Sequence, residues 1–570
     1  GTLVVSNSDT LSRVPTLIVG TSSSTPSSTV LDTNALTNGL LLSSGQTLKG
    51  RGTLIGNINL NRATLAPGNS IDTTQVRGNL NLTNTTYQVE FTTQNGGQSD
   101  RVDVVAANGL SGTISISGGT VLISTLDKAA RFTPQRFTIL QAEGGIFGQF
   151  ATVKSTSSLV RSKLIYGSEA AAAGPVLKLD LLVQRYSLES IGRSGNLRRV
   201  GYGLDSALDN TQSEFVALRN KLDTLSSDTA IREVLAQLNP LLFAELPNLS
   251  LQRIESVQRS LSDRLTLIGA SSLAQRTPEE FLGSTSSTPS LWSAWTSGYG
   301  SSYDVKSDTN DLFNGYNHQE NGDVSGVERI FGSLNIGLIG AKGYGRVGFT
   351  SPNSSARFDS WHFGTYASAP ITKHLFTDFA AFYGATDTDL TRNQLLPIGS
   401  NSSKANTLTH EWLLQSGFGL QIAPQNSTWS ITPTVRVAYA GSRQGPITES
   451  GSGALNIHSN SLTSHNLFLR SGLEGSKEWR FRGIPIRSSA HAEWIHNFTS
   501  KSRPLDVHWE GQPSTPWSIS STRGQPDTIK LGAALEIGIS DRKTIRIYSE
   551  HEFFKQGSST YFGATLSIGL

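Results

Sequence analysis

The second half of this 570-residue sequence contains long segments in which apolar and polar residues alternate with a period of two. Between Trp429 and Tyr439, one series is apolar and uncharged, whereas the other includes Thr432, Thr434 and Arg436. Successive side chains of a β-strand point to opposite faces, so the pattern predicts strands with one apolar and one polar side. The aromatic residues stand at the two ends of the segment. This half of the chain is therefore predicted to be built from two-faced strands.

Two environments favour such alternation, namely a soluble sandwich and an outer-membrane barrel. The segments Ile529–Ile539 and Leu334–Leu338 repeat the pattern. About 9 to 11 residues cross a bilayer at the usual strand tilt, and several segments reach that length, which is long for a sandwich. Residues 291–570 are also more than one sandwich domain contains. The aromatic residues at the strand ends match the aromatic girdles of a membrane barrel. We therefore favour a transmembrane antiparallel β-barrel of about twelve strands.

The first 290 residues contain neither Trp nor His, which indicates that they build a different kind of surface. Residues 1–186 are rich in Gly, Asn, Ser and Thr, and their apolar residues, such as Leu54 and Ile58, stand close to Gly52 and Gly56. Glycine at this spacing bends the backbone every few residues, so the strands are short. Short strands are typical of a sandwich or a solenoid. We favour a parallel β-helix, because each coil needs bends and exposes a polar outer face.

Residues 187–290 lose this bias and have the composition of exposed helices, with Leu interspersed among Arg, Asp and Glu. One helical stripe runs from Leu204 to Leu225, and the segment Ile231–Leu238 extends helix until Pro240. A further stripe runs from Leu251 to Ile268. On these residues alone, a soluble helical hairpin is the simplest interpretation.

Composition and motifs exclude several classes of function. A net charge of +3 argues against the basic field of a nucleic-acid-binding protein. With no Cys, disulfides, zinc–thiolate sites and cysteine nucleophiles are excluded. The sequence has no nucleophile elbow, zinc-protease motif, phosphate-binding loop or calcium loop. Since residues 1–290 have no His, they cannot hold a Ser-His-Asp site.

Histidine pairs in the second half are also poor candidates for chemistry. His491 and His496 fall on opposite faces of a strand, so they are unsuitable as joint metal ligands. Asp506 and His508 share a face, but a lone pair in a loop-prone segment is weak evidence for a site. We predict no enzyme, no metal and no cofactor.

The segment Leu65–Ile71, which reads Leu-Ala-Pro-Gly-Asn-Ser-Ile, closely resembles the passenger-associated repeat of autotransporters, the type V secretion family of Gram-negative outer membranes. A further Gly-initiated strand, Gly78–Leu82, follows it. Proline fixes φ, and we expect the next two residues to accept a turn with positive φ before the last residue returns to the core. The turn residues of this repeat are Pro67, Gly68, Asn69, Ser70 and Ile71.

Residues 83–186 resemble the C-terminal autochaperone portion of such passengers. The resemblance rests on four successive segments, Ser99–Val105, Gly109–Ile116, Phe137–Leu140 and Gly144–Phe150. Tyr166 and Leu177–Leu182 are expected to close this portion. The residues that the resemblance assigns to it are Asp100, Gly145, Gly148, Phe150 and Tyr166.

The helical stretch, from Asn196 to Leu208 and again from Leu235 to Leu238, resembles the linker that precedes the family's barrel. In the family a linker segment threads the barrel lumen as a helix, so the resemblance favours this role for residues 250–268 over a soluble hairpin. The charged residues that we single out in this pore helix are Arg253, Arg259, Asp263 and Arg264. We expect them to pair with inward charges of the barrel such as Arg436 or Glu536.

Residues 291–570 resemble the family's translocator domain, with Trp292 opening its first strand. The final alternation resembles the signal that such proteins present to the outer-membrane insertion machinery, and its residues are Phe562, Ala564, Leu566, Ile568 and Leu570. The family usually ends in Phe or Trp, so Leu570 means either tolerated variation or a trimmed C-terminus. A first residue other than Met leads us to expect an internal fragment.

The resemblance implies a fragment of an autotransporter, mainly β in fold. It comprises the end of a β-helical passenger (1–186), a linker (187–290) and a translocator barrel (291–570). It also implies an outer-membrane location, with the passenger exported to the cell surface by its own folding. Implied partners are outer-membrane lipid, the barrel-assembly machinery, periplasmic chaperones, its own passenger and host-cell surface ligands of the missing passenger, with no nucleic acid. A surface adhesin with a passive barrel anchor and a soluble secreted β-solenoid with a sandwich remain as alternatives.

Overall fold

A computed structural model describes residues 1–7, 11, 13–20, 29–127, 133–167, 175–207, 209–273, 291–306, 315–349, 354–396, 398–424 and 427–570. The chain is mainly β and forms two compact units. One unit contains residues 1–191 and 204–233, and the other contains residues 192–203 and 234–570. Within the described residues, no helix has both the length and the apolar character needed to cross a membrane.

The first unit begins with short strands separated by bends. In chain order they are Thr2–Val4 (β1), Thr16–Ile18 (β2), Val30–Asp32 (β3), Leu40–Leu42 (β4), Thr47–Gly50 (β5), Thr53–Ile55 (β6), Ile58–Asn61 (β7), Thr64–Pro67 (β8), Thr73–Arg77 (β9), Leu80–Thr83 (β10), Thr86–Thr92 (β11), Gln98–Ser99 (β12), Arg101–Val105 (β13), Ile114–Ser117 (β14), Thr120–Thr125 (β15), Gln135–Gln149 (β16), Thr152–Ser155 (β17), Val160–Tyr166 (β18) and Val176–Arg185 (β19).

These strands stack in parallel into the three faces of a β-helix. One face contains β1, β3, β6, β9, β13 and the start of β16; the second contains β4, β7, β10, β14 and the end of β16. The third contains β2, β5, β8, β11, β15 and β17. The solenoid prediction is therefore confirmed, and the sandwich alternative for this region is wrong.

Ladders of aliphatic side chains explain why the coils stack. On the second face, Leu40, Ile58, Leu80, Ile114 and Ile146 lie in register, one above the other. All five are buried in one hydrophobic cluster. Each coil buries apolar surface against its neighbour, which stabilises the stack by about 25 cal/mol per Å². The stack can therefore grow coil by coil.

The last coil is closed by antiparallel strands. Strand β19 pairs with β16 and with β18, and Leu179, Leu181 and Val183 of β19 are fully buried. A parallel stack would otherwise end in an open edge of unpaired backbone groups. The antiparallel pairing covers the end of the solenoid core.

After the β-helix, the residues that the structure describes between 188 and 273 form five helices, with bounds Leu188–Gly192 (α1), Gly195–Ser206 (α2), Ser213–Leu222 (α3), Asp228–Leu238 (α4) and Leu241–Leu273 (α5). The predicted continuous stripe from Leu204 to Leu225 is wrong, because α2 ends before α3 begins. The side chain of Asn210 accepts the backbone N–H of Gln212 at 2.9 Å. Such a side-chain bond competes with the helical backbone and favours a turn.

Twelve antiparallel strands of the second unit close into a barrel. They are Trp292–Val305 (β20), Tyr316–Phe331 (β21), Leu334–Phe349 (β22), Ser354–Pro370 (β23), Leu375–Leu396 (β24), Gly399–Leu420 (β25), Trp429–Gln444 (β26), Leu462–Phe481 (β29), Ile484–Asn497 (β30), Asp527–Ser540 (β33), Lys543–Phe554 (β34) and Gly557–Gly569 (β35). Pairing of β20 with β35 completes the ring. The predicted barrel of about twelve strands is confirmed.

The outer wall of the barrel carries the apolar series of the alternation. Trp429 is 45% exposed, Val437 51%, Leu531 47% and Leu535 37%. In the same strands, Thr432, Thr434 and Arg436 are buried. Apolar residues outside and polar residues inside are the arrangement of a membrane barrel, and the sandwich alternative is wrong for this region.

The two ends of the barrel differ. Short turns at residues 332–333, 482–483 and 541–542 define one end, which we call the short-turn end. At the opposite, long-loop end, four strands form a small sheet, and they are Ile447–Thr448 (β27), Ile457–Ser459 (β28), Pro504–Trp509 (β31) and Gln512–Ser520 (β32). This sheet is formed by the connections from β26 to β29 and from β30 to β33.

Candidate functional site: the barrel lumen and its helix

Helix α5 lies inside the barrel. Its apolar residues Ile254, Val257, Leu261 and Leu265 belong to one buried cluster with inward side chains of the barrel strands, such as Trp295. Because the barrel core is polar and the helix is amphipathic, apolar contacts occupy only part of this interface. The remainder consists of ion pairs and of hydrogen bonds such as Gln258–Gln415.

The helix direction follows from its contacts at the two ends. Near its start, Thr522 in the loop after β32 donates its hydroxyl to Glu245 Oε2 at 3.0 Å. Toward its end, Arg264 Nη2 donates to Ser293 Oγ of β20 at 2.8 Å. The helix therefore begins at the long-loop end and runs toward the short-turn end.

Arg253 makes the most completely buried ion pair of α5 with the wall. Its Nη2 donates to Glu411 Oε1 at 2.6 Å, and both side chains are at most 1% exposed. The guanidinium carbon lies 4.8 Å from the ring centroid of Phe358, within cation–π range. Glu411 Oε2 also lies 3.0 Å from His362 Nε2 and accepts the Thr386 hydroxyl at 3.1 Å. A buried carboxylate with this many donors holds the arginine in one position.

Arg259 is held in an aromatic cage. It pairs with Glu552, and its guanidinium carbon lies 5.7 Å from the ring centroid of Tyr303 and 5.2 Å from that of Tyr561. Arg259 Nη2 also donates to the Tyr303 hydroxyl at 3.2 Å. Cation–π contacts and the carboxylate together compensate for the loss of water around a buried charge.

Asp263 and Arg264 pair with different strands, β34 and β21. Arg546 Nη2 donates to Asp263 Oδ2 at 3.1 Å. Arg264 pairs with Glu328, and its Nε donates to Glu328 Oε2 at 3.2 Å. Arg253, Arg259, Asp263 and Arg264 of the pore helix thus all pair with wall residues of opposite charge.

Arg436, one of the inward charges expected to pair with the pore helix, has its ion pair with another strand of the wall. Arg436 pairs instead with Asp378 of β24 at 2.8 Å and donates to the Thr266 hydroxyl of α5 at 3.0 Å. The actual partners are Glu328, Glu411, Glu552 and Arg546. Sequence reasoning missed these residues, although each stands in the polar series of its strand.

The passenger-repeat turn adopts the expected bend with two differences. Gly68 has a φ of 75° and donates its N–H to the Gly50 carbonyl at 2.8 Å. Asn69, expected to share the positive φ, is not among the described residues with positive φ. Ile71 is only half-buried and does not join the hydrophobic cluster, so the expectation that it returns to the core is wrong. Ser70 is exposed, whereas Pro67 is buried.

Asp100 ties the repeat turn to the next coil. Its Oδ1 accepts the N–H of Asp72 at 3.0 Å, and its Oδ2 accepts the N–H of Glu90 at 2.8 Å. Burial raises the pKa of the Asp100 carboxyl to about 7, although the two backbone N–H groups oppose the rise. The carboxyl is 2% exposed. Asp100 is therefore a buried titratable residue at the junction between two coils.

We expect this junction to make the β-helix less stable as pH rises. The folded pKa of about 7 exceeds the value of about 3.9 for an unfolded Asp, so between these values only the folded state keeps the proton. The stability that this proton confers is complete below about pH 4 and is lost by about pH 7. Hydrogen exchange at the Glu90 amide in the full chain, corrected for intrinsic rates, should therefore be slower at pH 4 than at pH 7.5. Asp100→Asn should flatten this dependence; an equal slope in both chains would contradict the assignment.

Phe150 and Tyr166 meet at the closed end of the solenoid. The Tyr166 hydroxyl accepts the backbone N–H of Phe150 at 2.9 Å, and the Phe150 ring stacks on Tyr87 at 6.1 Å. Gly145 and Gly148 of β16 have φ values of 102° and 77°. Four of the five residues assigned to the autochaperone portion therefore lie on or next to β16, whereas Asp100 lies one coil earlier.

The last strand, β35, presents its apolar series outward. Phe562 is 59% exposed, Leu566 39% and Leu570 61%, and Ala564 faces the same way. Ile568 is half-buried. Tyr561 and Ser567, of the alternate series, are buried inside. The strand therefore presents an apolar face on the outside of the barrel.

The described residues contain no group of three or more His, Cys, Asp or Glu side chains arranged to hold a metal ion. His491 faces inward and lies 3.1 Å from Glu550, whereas His496 faces outward, 2.9 Å from Asp527 Oδ1. The lumen offers ion pairs and hydrogen bonds, which are the means to hold a helix.

Comparison with known proteins gives a family match and several similar solved structures. Residues 294–548 match the family described as Autotransporter beta-domain. The chain is similar to the translocator domain of the autotransporter NalP from Neisseria meningitidis, with 12% identity, coverage of 56% of this chain and 98% of that one, and a TM-score of 0.41. It is also similar to the β-domain of the Bordetella autotransporter BrkA, with 15% identity, coverage of 49% and 100%, and a TM-score of 0.37.

A further similarity is to the transport unit of the autotransporter AIDA-I from Escherichia coli, with 16% identity, coverage of 53% of this chain and 98% of that one, and a TM-score of 0.32. No curated protein sequence matches the chain. The part of the chain that matches this family therefore runs from β20, the first strand of the closed twelve-stranded barrel, to β34, its eleventh.

Proposed function

We propose that this chain is an outer-membrane translocator that anchors its own N-terminal region and carries it to the cell surface. In this proposal, residues 1–186 are the end of the passenger, with an autochaperone portion at 83–186. Residues 187–290 are the linker, of which 250–268 thread the pore, and residues 291–570 are the barrel.

The observation that carries this proposal is the helix in the lumen. Helix α5 enters at the long-loop end and is held by buried ion pairs such as Arg253–Glu411. A segment that fills the pore and begins at the long-loop end is the arrangement expected after a chain has passed through the barrel. The polypeptide before Leu241 would then stand on the outer side of the membrane.

The folding of the passenger supplies the driving force in this proposal, because no ATP is present outside the inner membrane. The aliphatic ladders of the β-helix bury apolar surface coil after coil, at about 25 cal/mol per Å². A coil that forms outside the pore cannot slide back through it. Each further coil therefore biases the chain outward.

The partners in this proposal follow from the surfaces. The apolar outer belt would contact outer-membrane lipid. The outward apolar face of β35 would engage the barrel-assembly machinery after periplasmic chaperones deliver the chain. The passenger is the chain's own cargo, and host-cell ligands would be bound by upstream passenger sequence. No nucleic acid and no catalysis enter the proposed mechanism.

Deletion of residues 99–182 tests the export step. We expect the shortened chain to insert its barrel but to expose an N-terminal epitope tag on the cell surface much less than the full chain, because the capped last coils are missing. Surface labelling of intact cells measures exposure, and the mobility shift between unheated and boiled samples on SDS gels reports the folded barrel. Normal exposure would reject the autochaperone role.

The two alternatives give different results in the same experiment. For a surface adhesin with a passive barrel, deletion of residues 99–182 would leave exposure of the tag unchanged. A soluble solenoid would show no heat-dependent shift and would need no detergent. The exposed aliphatic belt, with residues such as Leu338 at 67%, does not favour the soluble alternative.

A further inference from the structure

Near the long-loop end, the outer wall of the barrel carries a cluster of basic and aromatic side chains that the translocation mechanism does not use. We call it the histidine–arginine patch, and its residues are Tyr383, His410, Trp412, Tyr439, Arg443 and His465. They belong to four neighbouring strands, β24, β25, β26 and β29.

The patch is continuous across the strands. His410 lies directly opposite Arg443, and Thr463 lies opposite Arg443 on the other side. His465 lies opposite Gly441, next to the arginine along the strand. None of these cross-strand neighbours of Arg443 is acidic, although Arg443 is exposed. The arginine therefore has no carboxylate beside it in the ladder to neutralise its charge.

Each histidine is fixed by a tyrosine. The hydroxyl of Tyr383 lies 2.5 Å from His410 Nδ1, and that of Tyr439 lies 2.6 Å from His465 Nδ1. The rings also stack, with centroids 5.9 Å and 5.7 Å apart. Because Nδ1 is occupied in both residues, Nε2 is the nitrogen left for a ligand.

The position of the patch selects its ligand. Immediately toward the short-turn end, Leu414 and Val437 are 50% and 51% exposed and belong to the apolar belt. Trp412 and the two tyrosines mark the aromatic girdle, which lies at the level of lipid headgroups. Basic donors at this level meet the phosphate of a headgroup rather than its acyl chains.

We propose that the histidine–arginine patch binds the phosphate-bearing headgroup of a lipid in the outer leaflet. Arg443 supplies a charge-assisted fork to the phosphate oxygens, and the Nε2 groups of His410 and His465 flank it. The aromatic rings and the belt below contact the rest of the lipid. This inference rests on the proposed function, because it places the long-loop end in the outer leaflet.

The test uses the purified full chain in detergent and native mass spectrometry, with lipid A bearing both phosphates as the probe. We expect one tightly retained lipid per chain, and about tenfold weaker retention in the Arg443→Gln/His465→Asn variant, which corresponds to one charge-assisted hydrogen bond. Arg357→Gln is the matched control, because Arg357 also faces outward but lies opposite Asp389. Its retention should equal that of the unchanged protein.

Two further arms identify the ligand. Dephosphorylated lipid A should be retained about tenfold less, and inorganic phosphate at equal concentration should not displace lipid A. Equal retention of both lipids, displacement by inorganic phosphate, or no effect of the double substitution would overturn the inference.

Every sample is also checked for the heat-dependent mobility shift on SDS gels. Loss of the shift in the unchanged protein would count against the proposed barrel function, whereas a normal shift with unselective lipid retention would reject the patch alone. If the double variant does not fold, His410→Asn/His465→Asn replaces it and should weaken retention in the same direction.

Discussion

Replacing Glu411 with leucine is expected to loosen α5 inside the barrel and to raise ion conductance through the pore. Glu411 is fully buried and is the carboxylate that neutralises Arg253. Its removal leaves the buried arginine charge without its carboxylate, which costs about 3–5 kcal/mol. A pore normally filled by the helix should then open for part of the time. Planar-bilayer recordings of the full chain measure the conductance, and hydrogen exchange over residues 250–268 measures the loosening.

The double variant Arg253→Leu/Glu411→Leu separates an unpaired charge from lost packing. Because both charges are removed together, we expect its helix amides to exchange more slowly than those of Glu411→Leu alone. Glu255→Leu is the matched control, since Glu255 lies 3.6 Å from Arg470 and its side chain is 20% exposed. A conductance rise as large in Glu255→Leu as in Glu411→Leu would contradict a specific role for the Arg253 pair.

The architecture of the barrel was readable from the sequence because a period of two fixes which side each residue faces. Once Val435 and Val437 lie outside, Thr434 and Arg436 must lie inside, whatever the rest of the barrel does. The same reasoning applies to the stacked coils, in which the aliphatic residues recur at each turn of the solenoid.

The partners of the pore helix could not be read in this way. Many strands place a carboxylate or a guanidinium inside, so alternation alone does not rank Glu411 above Glu536 as the partner of an arginine. The choice depends on the height of each residue along a tilted strand and on the rotation of α5. Both are set by closure of the whole barrel rather than by local sequence.

The predictions for two local segments were wrong for a different reason. The stripe from Leu204 to Leu225 has a helical period, but the Asn210 side chain captures a backbone N–H and divides it. Ile71 has the apolar character of a core residue, yet the bend after Gly68 leaves it half-buried at the edge of the coil. Periodicity shows where apolar side chains recur. It does not show whether a backbone N–H bonds within the helix or to a nearby side chain.

Gly148→Ala is expected to open the last coil of the β-helix while leaving the barrel intact. Gly148 has a φ of 77°, where an alanine costs about 1–2 kcal/mol. A Cβ at this position would also overlap the carbonyl oxygen of Ile116, its partner in the neighbouring strand. Backbone cannot move away as a flexible side chain does, so the pairing of β14 with β16 should separate.

Gly96→Ala separates the energetic cost of an alanine at positive φ from the cost of the steric overlap. Gly96 has a φ of 87°, but a Cβ there would meet no atom within 4 Å. Limited proteolysis of the full chain, with hydrogen exchange over Ile114–Ser117, should show marked opening in Gly148→Ala and little change in Gly96→Ala, while both keep the heat-dependent shift of the barrel. Equal effects would mean that φ alone matters at Gly148. A larger effect at Gly148 would instead place the stability of this end of the solenoid in the close approach of two backbones, which no side chain of the sequence reveals.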